Sequence, residues 1–161
     1  FDPVKHGDNL HYFSQQDLRL DNGPKRLFRQ VEELKPGLVI LDSLIRFHTE
    51  DEGSNSAMAR LFNNGIKPLS RRYDCTTLIL HHVVKNEESK SFRRTRGASD
   101  ITAAIDLGLD MYIPDAGNYR RVKVFKPRHP VDVTTLYVRV EDKGDATMIR
   151  RVEQEQRQTP F

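Results

Sequence analysis

Cysteine is almost missing from this chain: Cys75 is the only one in 161 residues. That excludes an internal disulfide framework and a multi-cysteine zinc site, and makes a reducing, cytoplasmic setting the natural expectation. No apolar run approaches the roughly 18 to 20 residues a membrane helix needs, so no membrane association is expected. No signal-peptide pattern is visible and no initiator methionine is present; "FDPVKHGDN" opens as if cut from something longer. Internal repeats are lacking, and no H-E-x-x-H or comparable pair offers metal ligands. A strong charge of one sign is lacking too: 26 Lys and Arg face 23 Asp and Glu, a net +3. That balance is compatible with a nucleic-acid partner without arguing for one. With 37% hydrophobic and 30% charged residues, the composition is that of a soluble chain with a generous polar surface. The length suits one domain with a sizeable core.

What is there reads as alternating elements. "LHYF" at 10 to 13 predicts a short strand, followed by a polar turn at "DNGP". From Pro24, the apolar residues Leu27, Phe28, Val31 and Leu34 recur at helical spacing until "KPG" at 35 to 37. "LVILD", 38 to 42, is too short for a helix and too uniformly apolar for a sheet edge. It predicts a central strand buried on both faces. "TEDEGSNS" is a loop in which Ser54 or Asn55 caps a helix carrying Ala57, Leu61, Ile66 and Leu69 to about Arg72, with a kink or break at Gly65 and Pro68. "CTTLIL", 75 to 80, repeats the buried-strand pattern. A helix at 97 to 104 and four strand-like segments follow, at 105 to 113, 119 to 126, 134 to 141 and 146 to 152. In the third of these, Leu136, Val138 and Val140 alternate with outward Tyr137 and Arg139, and "DKGDA" makes a hairpin turn. The expectation is an α/β fold: a mostly parallel sheet flanked by helices, with antiparallel strands at the C-terminal edge. Residues 153 to 161 read as a frayed tail.

Asp42 and the pair His81 and His82 end two predicted parallel strands, at the edge where open α/β sheets bind ligands. A carboxylate ending a buried strand needs a metal ion, a cation or a set of donors. The plainer alternative is a helix cap or a loop salt bridge. For the histidines it is one satisfied core imidazole and one exposed one. Beyond them, "KNEESKSFRRTR" carries Lys85, Lys90, Arg93, Arg94 and Arg96 against Glu87 and Glu88, with Phe92 among the cations. Basic side chains with an interleaved aromatic suit single-stranded nucleic acid. An ordinary solvated loop is the alternative.

Three of these segments carry a family resemblance. "LVILDS" resembles the Walker B strand of RecA-like ATPases. "LILHHVVK" resembles the strand with a terminal His-His and nearby Lys of the RepA-type hexameric helicases, and "RGASD" resembles their Arg-Gly-Ser-Ser segment. The likeness spans about residues 24 to 140, and it implies that 1 to 152 form the carboxyl-terminal portion of a RecA-like domain. Asp42 would then hold Mg2+ on ATP, usually through a water. Ser43 would hold a water or cap the next turn. His82 would be the γ-phosphate sensor, His81 packing within the fold. The basic loop would line a single-stranded DNA channel through Lys85, Lys90, Phe92, Arg93 and Arg94. In "FKPRHP", Lys126 and Arg128 match the Lys-x-Arg of DnaB-type helicases, which reaches the neighbouring subunit's γ-phosphate in a homo-oligomeric ring; Arg96 is the rival finger. Surface charge beside prolines is the plainer reading of Lys126 and Arg128.

The resemblance is incomplete. No G-x-x-x-x-G-K-[ST] occurs in the 161 residues, so the backbone amides and lysine that grip α- and β-phosphates are missing. Nor does any segment match the family's catalytic glutamate. The expectation is a fragment of a RecA-fold ATPase of replication or repair, inactive alone, with ATP and Mg2+ belonging to the complete protein and neither bound tightly by this chain. The alternative is a non-catalytic RecA-like module for nucleic-acid binding or assembly. A metal-dependent hydrolase using Asp42, His81 and His82 is a third reading. A receiver-like phosphoacceptor role for Asp42, with Lys85 as phosphate partner, is a fourth.

Overall fold

In the computed structural model, described for residues 7–13, 18–21, 24–82, 99–113, 119–144 and 146–152, the chain divides into two compact units. Among the described residues the first unit holds 7–82 and 99–101, and the second holds 102–152.

In the first unit, helix α1 spans Lys25–Leu34 and buries Leu27 and Val31. It stops because Lys35 turns left-handed (φ 48°) and its amide bonds back to Val31 O. Strand β1 spans Leu38–Asp42. Helix α2, Asn55–Leu61, is capped by the Ser54 hydroxyl, which accepts the Ala57 amide. It does not break at Gly65. A π turn at Phe62–Ile66, closed by the Lys67 amide on Phe62 O, leads directly into α3, Lys67–Tyr73. Pro68 has no amide for an α-helical bond, and the wider turn just before it keeps the helix continuous. Gly65 lies in that turn because Leu20 lies against it: a Cβ there would sit 3.1 Å from Leu20 Cβ. Strand β2, Thr76–Leu80, runs parallel to β1, with Ile40 opposite Leu78 and Asp42 opposite Leu80. Helix α3 packs against both α1 and β2, with Phe28 and Tyr73 in ring contact at 5.8 Å. Leu20, Leu41, Leu44, Met58, Phe62 and Leu69 lie in the core.

The second unit is an antiparallel sheet ordered β3-β4-β5-β6: Leu107–Tyr112, Arg120–Pro127, Thr135–Asp142 and Thr147–Arg151. The strand alternation puts Leu109, Met111, Val122, Val124, Leu136, Val138, Val140 and Ile149 on one face. Tyr112, Arg121, Lys123, Tyr137 and Arg139 fall on the other, where Arg121 stacks 3.8 Å over the Tyr112 ring. Gly108 is required next to a bulge, since the Phe125 ring occupies the space a Cβ would fill. Helix α4, Ser99–Ala104, precedes β3, and the boundary between the units falls within it, after Ile101.

Three expectations need correction. Residues 10–13 form no strand; Leu10 and Tyr12 are 64% and 90% exposed. Their apolar character has no described neighbour strand to pair with. The "LVILD" strand is buried on one face only: Leu41 is 2% exposed, while Leu38 and Ile40 are about half exposed at 49% and 53%. Among the described residues β1 has a single partner, β2, so apolar uniformity here does not mean a central position. Finally, among the described residues the expected mostly parallel sheet is a parallel pair, and the antiparallel strands form a separate four-stranded sheet in place of its edge.

Candidate functional site

The parallel register fixes where the candidate residues emerge. Asp42 pairs with Leu80, so His81 and His82 leave β2 immediately beyond the position facing Asp42. Adjacent strands lie about 4.8 Å apart, which puts a carboxylate and two imidazoles at one strand edge. Asp42 and His82 are exposed; His81 is half-buried. The Asp42–Ser43 peptide is cis. Ser43 is buried and precedes a 3-10 turn at Leu44–Arg46, without a side-chain capping bond.

The loop after β1 is anchored from both ends. Leu44 and Phe47 bury their side chains, and the Leu20 amide donates to Phe47 O at 2.8 Å. Thr49 donates its amide and its hydroxyl to Asp21 Oδ2, at 2.5 and 2.6 Å. Beside this loop opens a cavity of about 510 Å³, lined by Ile45 and residues 48–53. His48 and Glu52, at 4% and 9% exposure, face inward. Glu52 Oε1 lies 3.7 Å from His48 Nε2 and 3.8 Å from His81 Nδ1. So His81 is engaged within the fold while His82 has no hydrogen bond or ion pair among the described residues. The loop "TEDEGSNS" contains Glu52 and begins just after His48, and neither residue stands out by composition. Their i, i+4 spacing in "HTEDE" was the available signal.

The remaining candidates divide between two situations. Lys85, Lys90, Phe92, Arg93, Arg94 and Arg96 lie outside the described residues. In the second unit, Lys126 donates its amine to Thr102 O and to Ala103 O, carbonyls at the end of α4, a C-terminal capping role. Arg128 pairs with Asp106 at 2.7 Å, with both side chains exposed. Among the described residues, no three His, Cys, Asp or Glu side chains form a group that could hold a metal ion, which leaves the metal-hydrolase reading without a site there. No described helix is long and apolar enough to cross a membrane.

A family model for the AAA domain matches residues 3–88, more than half of the chain and all of β1, α2, α3 and β2. The chain belongs to the AAA-domain family. AAA domains are P-loop NTPase-like and of ATPase type, and the match includes Asp42, His81 and His82. No curated protein matches the chain.

Proposed function

We propose that this AAA domain is part of a RecA-fold ATPase of the RepA/DnaB helicase branch that works on single-stranded DNA in replication or repair. The observation that carries the reading is the shared strand edge: Asp42 and the His81, His82 pair leave two adjacent parallel strands side by side. An exposed carboxylate at such an edge is a hard oxygen ligand suited to Mg2+, and an exposed imidazole two residues past its neighbour can donate to a terminal phosphate oxygen. Asp42 would hold the ion and His82 would sense the γ-phosphate. An ion held by Asp42 would supply charge neutralisation for phosphoryl transfer. Ser43 is buried and makes no side-chain capping bond to the turn after Asp42; in this reading it would hold a water beside the ion.

The phosphate-gripping loop is not among these 161 residues, so tight nucleotide binding needs one supplied elsewhere in the polypeptide. The basic loop with Arg93 and Arg94 would contact the DNA backbone, and Arg128 or Arg96 would serve a neighbouring subunit of a ring. The test uses the complete protein. Asp42→Asn and His82→Ala are each expected to lower kcat for DNA-stimulated ATP hydrolysis about 100-fold or more. Arg93→Ala with Arg94→Ala is expected to weaken single-strand binding and flatten its salt dependence. Wild-type hydrolysis by the Asp42 variant would remove the site assignment. No hydrolysis by the complete wild-type protein would favour a non-catalytic binding or assembly module.

A further inference from the structure

The nucleotide reading leaves the polar face of the antiparallel sheet without a task. Cross-strand register gathers Tyr112 of β3, Arg121 and Lys123 of β4, Tyr137 and Arg139 of β5, and Arg150 of β6 on that face. Its strand carboxylates are Asp110 and Glu141. Glu141 is already engaged: its Oε2 lies 3.4 Å from Lys143 Nζ and 3.8 Å from Arg150 Nε. Lys123 is exposed and, although Asp110 lies opposite it, makes no hydrogen bond or ion pair among the described residues. The face therefore carries a surplus of positive charge, which suits a polyanion. The sheet's apolar side chains collect on the opposite face, as in antiparallel sheets that turn one face to a core and the other to water.

The rings on the cationic face say which polyanion. Tyr119, directly before β4, meets Tyr137 edge-on, with 5.4 Å between centroids and 71° between planes. In a T-shaped pair one ring offers only its edge to the other, so the pair does not cover that ring's flat faces. Arg121 sits 3.8 Å over the Tyr112 ring, and its buried Nε has no hydrogen-bond partner. A guanidinium seated on a ring keeps N–H groups at its rim for a phosphate. A duplex hides its base faces in its own stack, whereas a single strand offers both bases and phosphates. Stacking on aromatic rings beside cations that follow the backbone is the general mode for single strands, and four-stranded sheets with aromatic side chains stack two or three bases this way. Four strands about 4.8 Å apart span roughly 14 Å, room for about two or three nucleotides.

We infer that this face of the second unit is a single-stranded DNA-binding surface, in which the Tyr119–Tyr137 pair stacks on bases and Arg121 and Lys123 contact phosphates. The choice of DNA rests on the function proposed above; the fit to a single strand rests on the face itself. The surface is separate from the loop at 85–96 and needs neither ATP nor Mg2+.

Fluorescence anisotropy of a short dye-labelled oligo-dT with the complete protein, without nucleotide and over a range of salt, tests this. Lys123→Ala removes an exposed side chain and is expected to flatten the plot of log affinity against log salt by about 0.7, the share of one phosphate contact on a single strand. Tyr119→Leu is expected to weaken binding about fivefold or more, and Tyr119→Phe, which keeps the ring, to stay within about twofold of wild type. Circular dichroism checks that each variant is folded. A loss with Lys123→Ala but none with Tyr119→Leu would overturn the inference, since any polyanion would then suit the face. Equal affinity for a duplex, or tighter binding of oligo-U, would overturn it too. Silence of both sheet variants while Arg93→Ala with Arg94→Ala loses affinity sinks this surface and keeps the loop. The reverse pattern supports the surface and removes the loop. A wild-type protein that binds no single strand defeats both.

Discussion

At the scale of single residues, burial sets chemistry that composition hides. Cys75 is the chain's only thiol, 2% exposed, with its Sγ donating to Thr76 O at 3.3 Å. Burial pushes its pKa above the ordinary value, and a backbone hydrogen bond at Val39 pulls the other way more weakly. Between the ordinary and the raised value the unfolded chain has released this proton and the folded chain still holds it. Stability then falls as pH rises through that window. Chemical denaturation from about pH 8 to about pH 10 is expected to show this decline, and Cys75→Ala to make it shallower, the slopes and not the absolute stabilities being compared. An identical slope in the variant would refute the assignment. Residues were unevenly legible. Asp42, His81 and His82 were readable because each ends an apolar run, a position that sheet geometry makes meaningful. The His48–Glu52 spacing was visible but carried no weight alone, because the contact of Glu52 with His81 joins segments 29 residues apart, and nothing in a loop's composition announces a tertiary contact.

At the scale of elements, the helices were legible through their termini and the strands through their patterns, yet burial was not. The polar caps and turn residues at Ser54 and Lys35 act locally, so the sequence around them is sufficient. Burial of a strand depends on what lies over it. Leu41 and Ile40 are neighbours in β1 and chemically near-equivalent, but alternation sends them to opposite faces, 2% and 53% exposed. Leu41→Ala is expected to cost about 2 to 5 kcal/mol, a buried leucine leaving a cavity. Ile40→Ala, removing a side chain already half in water, is expected to cost less than about 1 kcal/mol. Urea titrations of the two variants check this. Equal losses would mean that the Ile40 face is also covered, as the uniform apolar pattern of "LVILD" first suggested.

At the scale of the whole chain, each of the two units has apolar side chains on a sheet face that remain exposed. In the first, Leu38, Ile40, Leu78 and Leu80 form one contiguous face of the parallel pair, between 41% and 53% exposed. In the second, Leu109, Met111, Val140 and Ile149 share a face at 42% to 71%. The mixture of helices and strands was legible because it follows from periods of 2 and 3.6 along the chain, whereas the expected mostly parallel sheet is a parallel pair beside four antiparallel strands among the described residues. The division into a parallel pair and a separate antiparallel sheet was not, because which strands join one sheet depends on pairings between distant segments. Contiguous apolar faces of this kind bind hydrophobic dyes and promote association. The chain is therefore expected to enhance anilinonaphthalene sulfonate fluorescence while its circular dichroism remains that of a folded α/β protein. The double variant Ile40→Thr, Leu78→Thr is expected to remove about half of that enhancement, since the face of the antiparallel sheet is untouched. Sedimentation velocity should show weaker concentration-dependent association in the same variant. A wild-type chain that binds no dye would mean that both faces are closed over in solution.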